Sequence, residues 1–186
     1  MRRGLLVLAL ITVSACGGNT PQASEETQPA PVQSEAITYR SDADGYEVTY
    51  PVGWHVVGER LTPNLDDPRE ILALATYETP VGGDRCEHHP VAALEALGPR
   101  DALVALYERR PPWPEGRYPP REPADAVLRP GTGRFCVPDR DRLDAWFPFG
   151  NSGRGFYLLV AIGPEASART RQDVTAILDS LTFQAS

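Results

Sequence analysis

The chain has 186 residues, a net charge of −7, three cysteines and no lysine. The charge imbalance grows beyond residue 15, where 16 arginines face 25 acids. Such a chain lacks the basic stripe that nucleic-acid binding requires, and anionic headgroups repel it, so any hold on a membrane must come from something other than charge.

The first residues supply that hold. Arg2 and Arg3 precede "GLLVLALITV" (4–13), an uncharged apolar run of ten that ends in "VSAC" (13–16). A bilayer-spanning helix needs about 20 apolar residues, so the run suits a secretory signal better than a permanent anchor. Val13, Ser14, Ala15 and Cys16 together resemble the lipobox of bacterial lipoproteins. The resemblance implies a signal peptide over 1–15 and lipid attachment, palmitate-type chains included, at Cys16. It also implies a place on the extracytoplasmic side of the cell membrane or outer membrane. An ordinary secretory signal and an uncleaved N-terminal helix are the competing readings. Each buried CH₂ is worth about 0.8 kcal/mol, and two acyl chains give a stable anchor where one does not.

Residues 17–36, "GGNTPQASEETQPAPVQSEA", hold no aromatic and a single sizeable aliphatic, Val32. A segment this poor in apolar surface cannot offset its ordering entropy, so 16–36 is predicted to be a lipidated N-terminus and disordered tether. Twenty flexible residues average about 25 Å end to end. With Cys16 assigned to lipid, Cys86 and Cys136 remain as an even pair in an oxidising compartment and are predicted to form a disulfide. Closing that loop would contribute about 4 kcal/mol in the chain-entropy picture. Free thiols or metal ligation are the other uses open to the pair.

Residues 37–186 are the usual length of one domain. "GYEVTYPVGWHVV" (45–57) places Tyr46, Val48 and Tyr50 on one face and turns at Pro51–Gly53, which predicts strand, turn, strand. "EILALATY" (70–77) predicts a third strand. "PVAALEALG" (90–98) is bracketed by Pro and Gly as a short helix is, with His89 expected at its N-cap. "ALVALYE" (102–108) is confined by flanking prolines and reads as strand. "DAWFPFGNSGRGFYLLVAIGP" (144–164) reads as a hairpin. "EASARTRQDVTAILDSLTF" (165–183) puts Val174, Ile177, Leu178 and Leu181 on one helical face suited to packing on a sheet. The order predicts an α+β domain: a mainly antiparallel sheet, one short middle helix and a C-terminal helix packed on it.

"YEVTYPVGW" (46–54) and "ILDSLTF" (177–183) are similar to the opening hairpin and closing helix of PsbP/Mog1-like α/β/α proteins, a look shared by small lipoproteins of GC-rich bacteria. That resemblance implies an accessory or binding role rather than an enzymatic one.

The candidate chemistry is thin. "CEHHP" (86–90) offers Cys86, Glu87, His88 and His89, with His55 elsewhere, as a metal or enzyme centre. Adjacent residues diverge on strand or helix, however, and zinc ligands are typically spaced two to four apart. "GNSGRG" (150–155) has Arg154 where a nucleophile elbow needs glycine, and a strand follows it, so it reads as a turn. "DADG" (42–45) lacks the further ligands of a calcium loop and reads as a turn. The acids of "LDDPRE" (65–70) and "DRDRLD" (139–144) read as solvated loops with local ion pairs. "RRPPWPEGRYPPREP" (109–123) has six prolines in fifteen residues and favours extended polyproline geometry. It reads either as a strap covering the sheet or as a recognition loop, with Trp113 and Tyr118 stacking on a ligand and Arg109, Arg110, Arg117 and Arg121 meeting anions.

The residues assemble no catalytic group, no cofactor motif and no metal site. The expectation is therefore a membrane-anchored extracytoplasmic lipoprotein acting as a non-catalytic binding or accessory module of the cell envelope, with an envelope protein or small ligand as partner. The alternative is an enzyme or metal protein centred on 86–89 with His55.

Overall fold

The computed structural model describes residues 35–82, 89–112, 118–124, 128, 143–151 and 153–184. All of them belong to the unit Gln33–Ser186. The class is α+β with antiparallel sheets, as the pattern of elements predicts.

β1 (Ala36–Ser41) and β2 (Tyr46–Pro51) pair in full register around the turn at 42–45, where Gly45 adopts φ +63°. β1 begins inside the segment assigned to the tether. Its Ile37 and Tyr39 alternate as a strand should, but two apolar residues beside a polar run are a weak signal. β2 does alternate, with Tyr46, Val48 and Tyr50 buried. The chain then turns through Gly53, at φ +101°, into β3 (His55–Val56). The expected strand, turn and strand exist, yet β2 and β3 do not pair. The Pro51–Gly53 turn carries the chain from a three-stranded sheet into a five-stranded one, where β3 pairs with β4 (Arg69–Ala75), β4 with β5 (Ala102–Arg109), β5 with β7 (Arg154–Ile162) and β7 with β6 (Leu143–Asn151).

The β6–β7 hairpin closes with Asn151 opposite Arg154, so residues 150–155 are the turn predicted. β7 is buried on both faces from Gly155 onward, which is why it reads as a continuous apolar run. α1 (Val91–Ala96) covers one face of this sheet and α2 (Ala168–Ser180) the other. Pro90, not His89, occupies the N-cap of α1 and supplies no side-chain hydrogen bond. Proline's fixed φ suits the first turn, and the cap falls one residue later than expected. Ser167 caps α2 by accepting from the Thr170 N–H at 3.0 Å.

The main core lies between the two sheets and α2. Val174, Ile177, Leu178 and Leu181 meet Tyr46, Val48 and the inner face of β4–β7. The C-terminal apolar pattern does not continue as helix: after Ser180 the chain becomes β8 (Thr182–Phe183) and pairs with the start of β2. Farther along that edge the Ser180 hydroxyl accepts from the Thr49 N–H at 2.9 Å and donates to the Thr49 carbonyl at 3.0 Å, so one side chain extends the ladder.

An ion-pair cluster pins the β1–β2 turn to the larger sheet. Arg154 donates to Glu108 at 2.6 Å and to the Asp44 carbonyl at 2.7 Å, while Arg69 reaches Asp44 at 2.7 Å and Glu108 at 3.3 Å.

Candidate functional site

The outer face of the five-stranded sheet, opposite α2, carries an aromatic cluster in which Trp146 and Tyr118 are half-buried and Tyr107 and Tyr157 are buried. Trp146 on β6 stacks on Tyr157 of β7 with ring centroids 5.2 Å apart and planes 20° apart. It also meets Tyr107 of β5 at 5.6 Å and the edge of the His89 ring at 5.2 Å. Tyr118 extends the row, edge-on to Tyr157, and its hydroxyl lies 2.9 Å from the Tyr157 hydroxyl. Aromatic surface of this kind, apolar in body and polar at its tips, is what binding faces favour.

The described part of loop 109–123 is a strap around this face. Gly150 N–H donates to the Pro119 carbonyl at 2.7 Å and Pro120 bridges to Gly150, so the strap runs along the free edge of β6. The Tyr118 ring lies where a Cβ on Gly155 would approach it to 3.3 Å, which explains glycine there. Tyr118 packs on the outer face whereas Ala124 joins the inner core, so the strap crosses the sheet edge between them. It is tied down at its far end, where Arg121 donates to the Leu181 carbonyl and the Ala124 N–H donates to Asp179 at 3.1 Å. Burial pulls the Arg121 pKa below the usual guanidinium range, with Asp179 pulling the other way.

The expected anion-binding arginines therefore divide. Arg109 faces Asp67 at 3.8 Å and Arg121 holds a backbone carbonyl. Arg110 is exposed, with its N–H donating to Asp67 at 3.0 Å. Trp113 and Arg117 lie outside the described residues. So do Cys16, Cys86, Glu87, His88 and Cys136, and the DRDRLD run apart from the backbone of 143–144. His55 is exposed on the short β3, while His89 is set against Trp146. Among the described residues no group of three His, Cys, Asp or Glu side chains is placed to hold a metal ion.

One acid departs from expectation. The charge pattern of 65–70 predicts solvated acids, yet Glu70, at the start of the predicted 70–77 strand, is buried in β4 directly opposite Tyr107. Register slips between Glu70 and Leu72, so Ile71 is a bulge. The bulge lets Glu70 point to the outer face while Leu72 points to the inner core, an arrangement regular alternation forbids. The bulge carbonyl accepts from the Tyr46 hydroxyl of the other sheet at 2.8 Å. Glu70 in turn clamps the loop above it: its carboxylate accepts from the Leu61 N–H at 3.0 Å, the Thr62 N–H at 3.2 Å and the Thr62 hydroxyl at 3.1 Å. Burial raises the Glu70 pKa above the ordinary carboxylate range against those hydrogen bonds. It also lifts the Tyr107 hydroxyl, which faces the carboxylate. The only sign of this in the sequence is an acid next to an apolar strand, and its direction depends on the bulge.

With both carboxylate oxygens accepting from residues 61–62, Glu70 works as a structural clamp under the aromatic face. Among the described residues no helix is long and apolar enough to cross a membrane. No family model, curated protein or solved structure matches the chain.

Proposed function

We propose that this chain is a lipid-anchored extracytoplasmic lipoprotein whose domain is a non-catalytic binding or accessory module of the cell envelope. The observation that carries the anchoring is Cys16 in Val13-Ser14-Ala15-Cys16, following a ten-residue apolar run and preceding a polar segment. The half-buried rings of Trp146 and Tyr118 support the binding role, because both rest on the buried Tyr157 and leave part of their surface open for stacking. A disulfide between Cys86 and Cys136 belongs to the same proposal, since an extracytoplasmic compartment preserves it.

Intact-mass measurement of protein extracted from membranes, before and after reduction, tests the anchor and the disulfide together. The expected species begins at Cys16, carries acyl chains, and gains two alkylatable thiols on reduction. Recovery of a chain that retains residues 1–15, or a Cys16→Ser variant that stays in the membrane fraction, overturns the anchoring.

A further inference from the structure

Among the described residues four strands end the two sheets, and three of them offer little edge for further pairing. β3 and β8 are two residues each. The outer edge of β6 is covered by Pro119–Pro120, and Pro148 offers no N–H there. β1 is different. It is six residues long, in unbroken register with β2, free of proline and bulge, and exposed almost throughout. Among the described residues no strand lies beyond it. It also carries two of the large exposed apolar side chains, Ile37 at 41 % and Tyr39 at 36 %. Long uncovered edges with apolar side chains are what proteins ordinarily avoid unless something pairs with them.

We propose that β1 pairs antiparallel with β1 of a second copy of this chain, joining two three-stranded sheets into one of six strands. Hydrogen-bond parity selects the register. The Val52 N–H donates to the Glu35 carbonyl at 3.0 Å, so Glu35 and every second residue after it face β2. Ala36, Thr38 and Arg40 therefore present their N–H and C=O groups outward. One symmetric register pairs all three: Thr38 faces itself across the two-fold axis and Ala36 faces Arg40. The same register sets Ile37 against Tyr39 of the second copy, twice, in the close non-hydrogen-bonded positions where side chains interact most. On the opposite face the two Thr38 side chains meet, extending the Thr38–Thr49 hydroxyl contact at 3.1 Å.

Charge agrees with this occupant. The chain is acidic as a whole, yet AITYRS contains no acid, so no two carboxylates are opposed. The contact is isologous and closes on itself, which stops growth at two copies. The two Glu35 residues would leave the paired strands about 20 Å apart, at 3.4 Å per residue. The pairing itself rests on the strand edge and not on the anchor. A single strand edge buries less than a standard interface, so the dimer in solution is weak and depends on concentration.

The test uses the full chain in native membranes under mild oxidation. Thr38→Cys should give a disulfide-linked dimer on a non-reducing gel, well above the background of the unsubstituted chain. Glu47→Cys, on the same sheet face but one strand inward, should not. Adding Ile37→Glu to Thr38→Cys should suppress the crosslink at least fivefold. Sedimentation equilibrium in density-matched detergent, comparing the unsubstituted chain with Ile37→Glu, should show self-association only in the former. The proposal is overturned by crosslinking no greater than background, or by crosslinking indifferent to Ile37→Glu. It is equally overturned if the introduced thiol resists a maleimide reagent in monomer, which would show that residues before Glu35 or another partner already cover the edge.

Discussion

The Arg154–Glu108 pair, which joins β7 to β5 within the five-stranded sheet, offers the sharpest check on whether burial sets the strength of an ion pair. Arg154 donates to Glu108 at 2.6 Å with side chains only 17 % and 22 % exposed, and it also serves the carbonyls of Asp44 and Gly45. Its guanidinium sits 4.9 Å over the Phe156 ring. Arg154→Ala removes all of these, but the turn at 42–45 lies at the surface, where water can replace the carbonyl bonds. Hydrogen bonds to charged groups are worth about 1.5–3 kcal/mol. The expected loss is therefore about 2–3 kcal/mol, or a fall in Tm of roughly 4–12 °C for a domain of this size. A double-mutant cycle with Glu108→Ala, followed by urea denaturation, should return a coupling of about 1–2 kcal/mol. Arg40 and Asp42 form the control. Their separation of 2.7 Å is almost the same, but their side chains are 58 % and 83 % exposed, so no coupling should be measurable. Equal coupling in the two cycles would refute the argument that burial, rather than distance, gives the Arg154 pair its strength.

Three further outcomes are expected. The Glu70 pKa is raised in the folded state, so the folded protein binds more protons than the unfolded chain just above the ordinary Glu value. Its contribution to stability should fall as pH rises through that window, and Glu70→Gln should flatten the fall; parallel pH profiles for both proteins would contradict this. Gly163→Ala should cost about 1–3 kcal/mol, because a Cβ there would press on the carbonyl oxygens of Gly98 and Pro99, whereas Gly58 has open space around it and Gly58→Ala should leave thermal unfolding unchanged. Tyr118→Phe deletes the hydroxyl contact with Tyr157 and should cost about 0.5–1.5 kcal/mol while speeding hydrogen exchange at the Gly150 amide; unchanged exchange would mean that the strap does not depend on Tyr118.

Much of the architecture was legible because the relevant signals are local. Tyr46, Val48 and Tyr50 alternate at period two, and Val174, Ile177, Leu178 and Leu181 recur at helical spacing; each set is buried as its period requires. The β6–β7 hairpin was legible for the same reason, with Gly and Asn between two apolar runs. The strap reading of residues 118–124 likewise follows from a proline-rich composition that cannot donate to a ladder. The N-cap of α1 was misplaced by one residue, since neither His89 nor Pro90 offers a capping side chain and no local rule separates them.

The α+β class, the position of most strands and the two helices were legible in the residues alone. All of these depend on residue type and on neighbours within a few positions. Long-range packing alone sets β2 and β3 in different sheets, takes the final LTF out of the helix into β8, and turns Glu70 to the outer face by a bulge at Ile71. The same pairing leaves β1 with no strand beyond it among the described residues. Those outcomes are set by pairing between residues far apart in the chain, where a slip of one position reverses every side chain and leaves the local pattern unchanged.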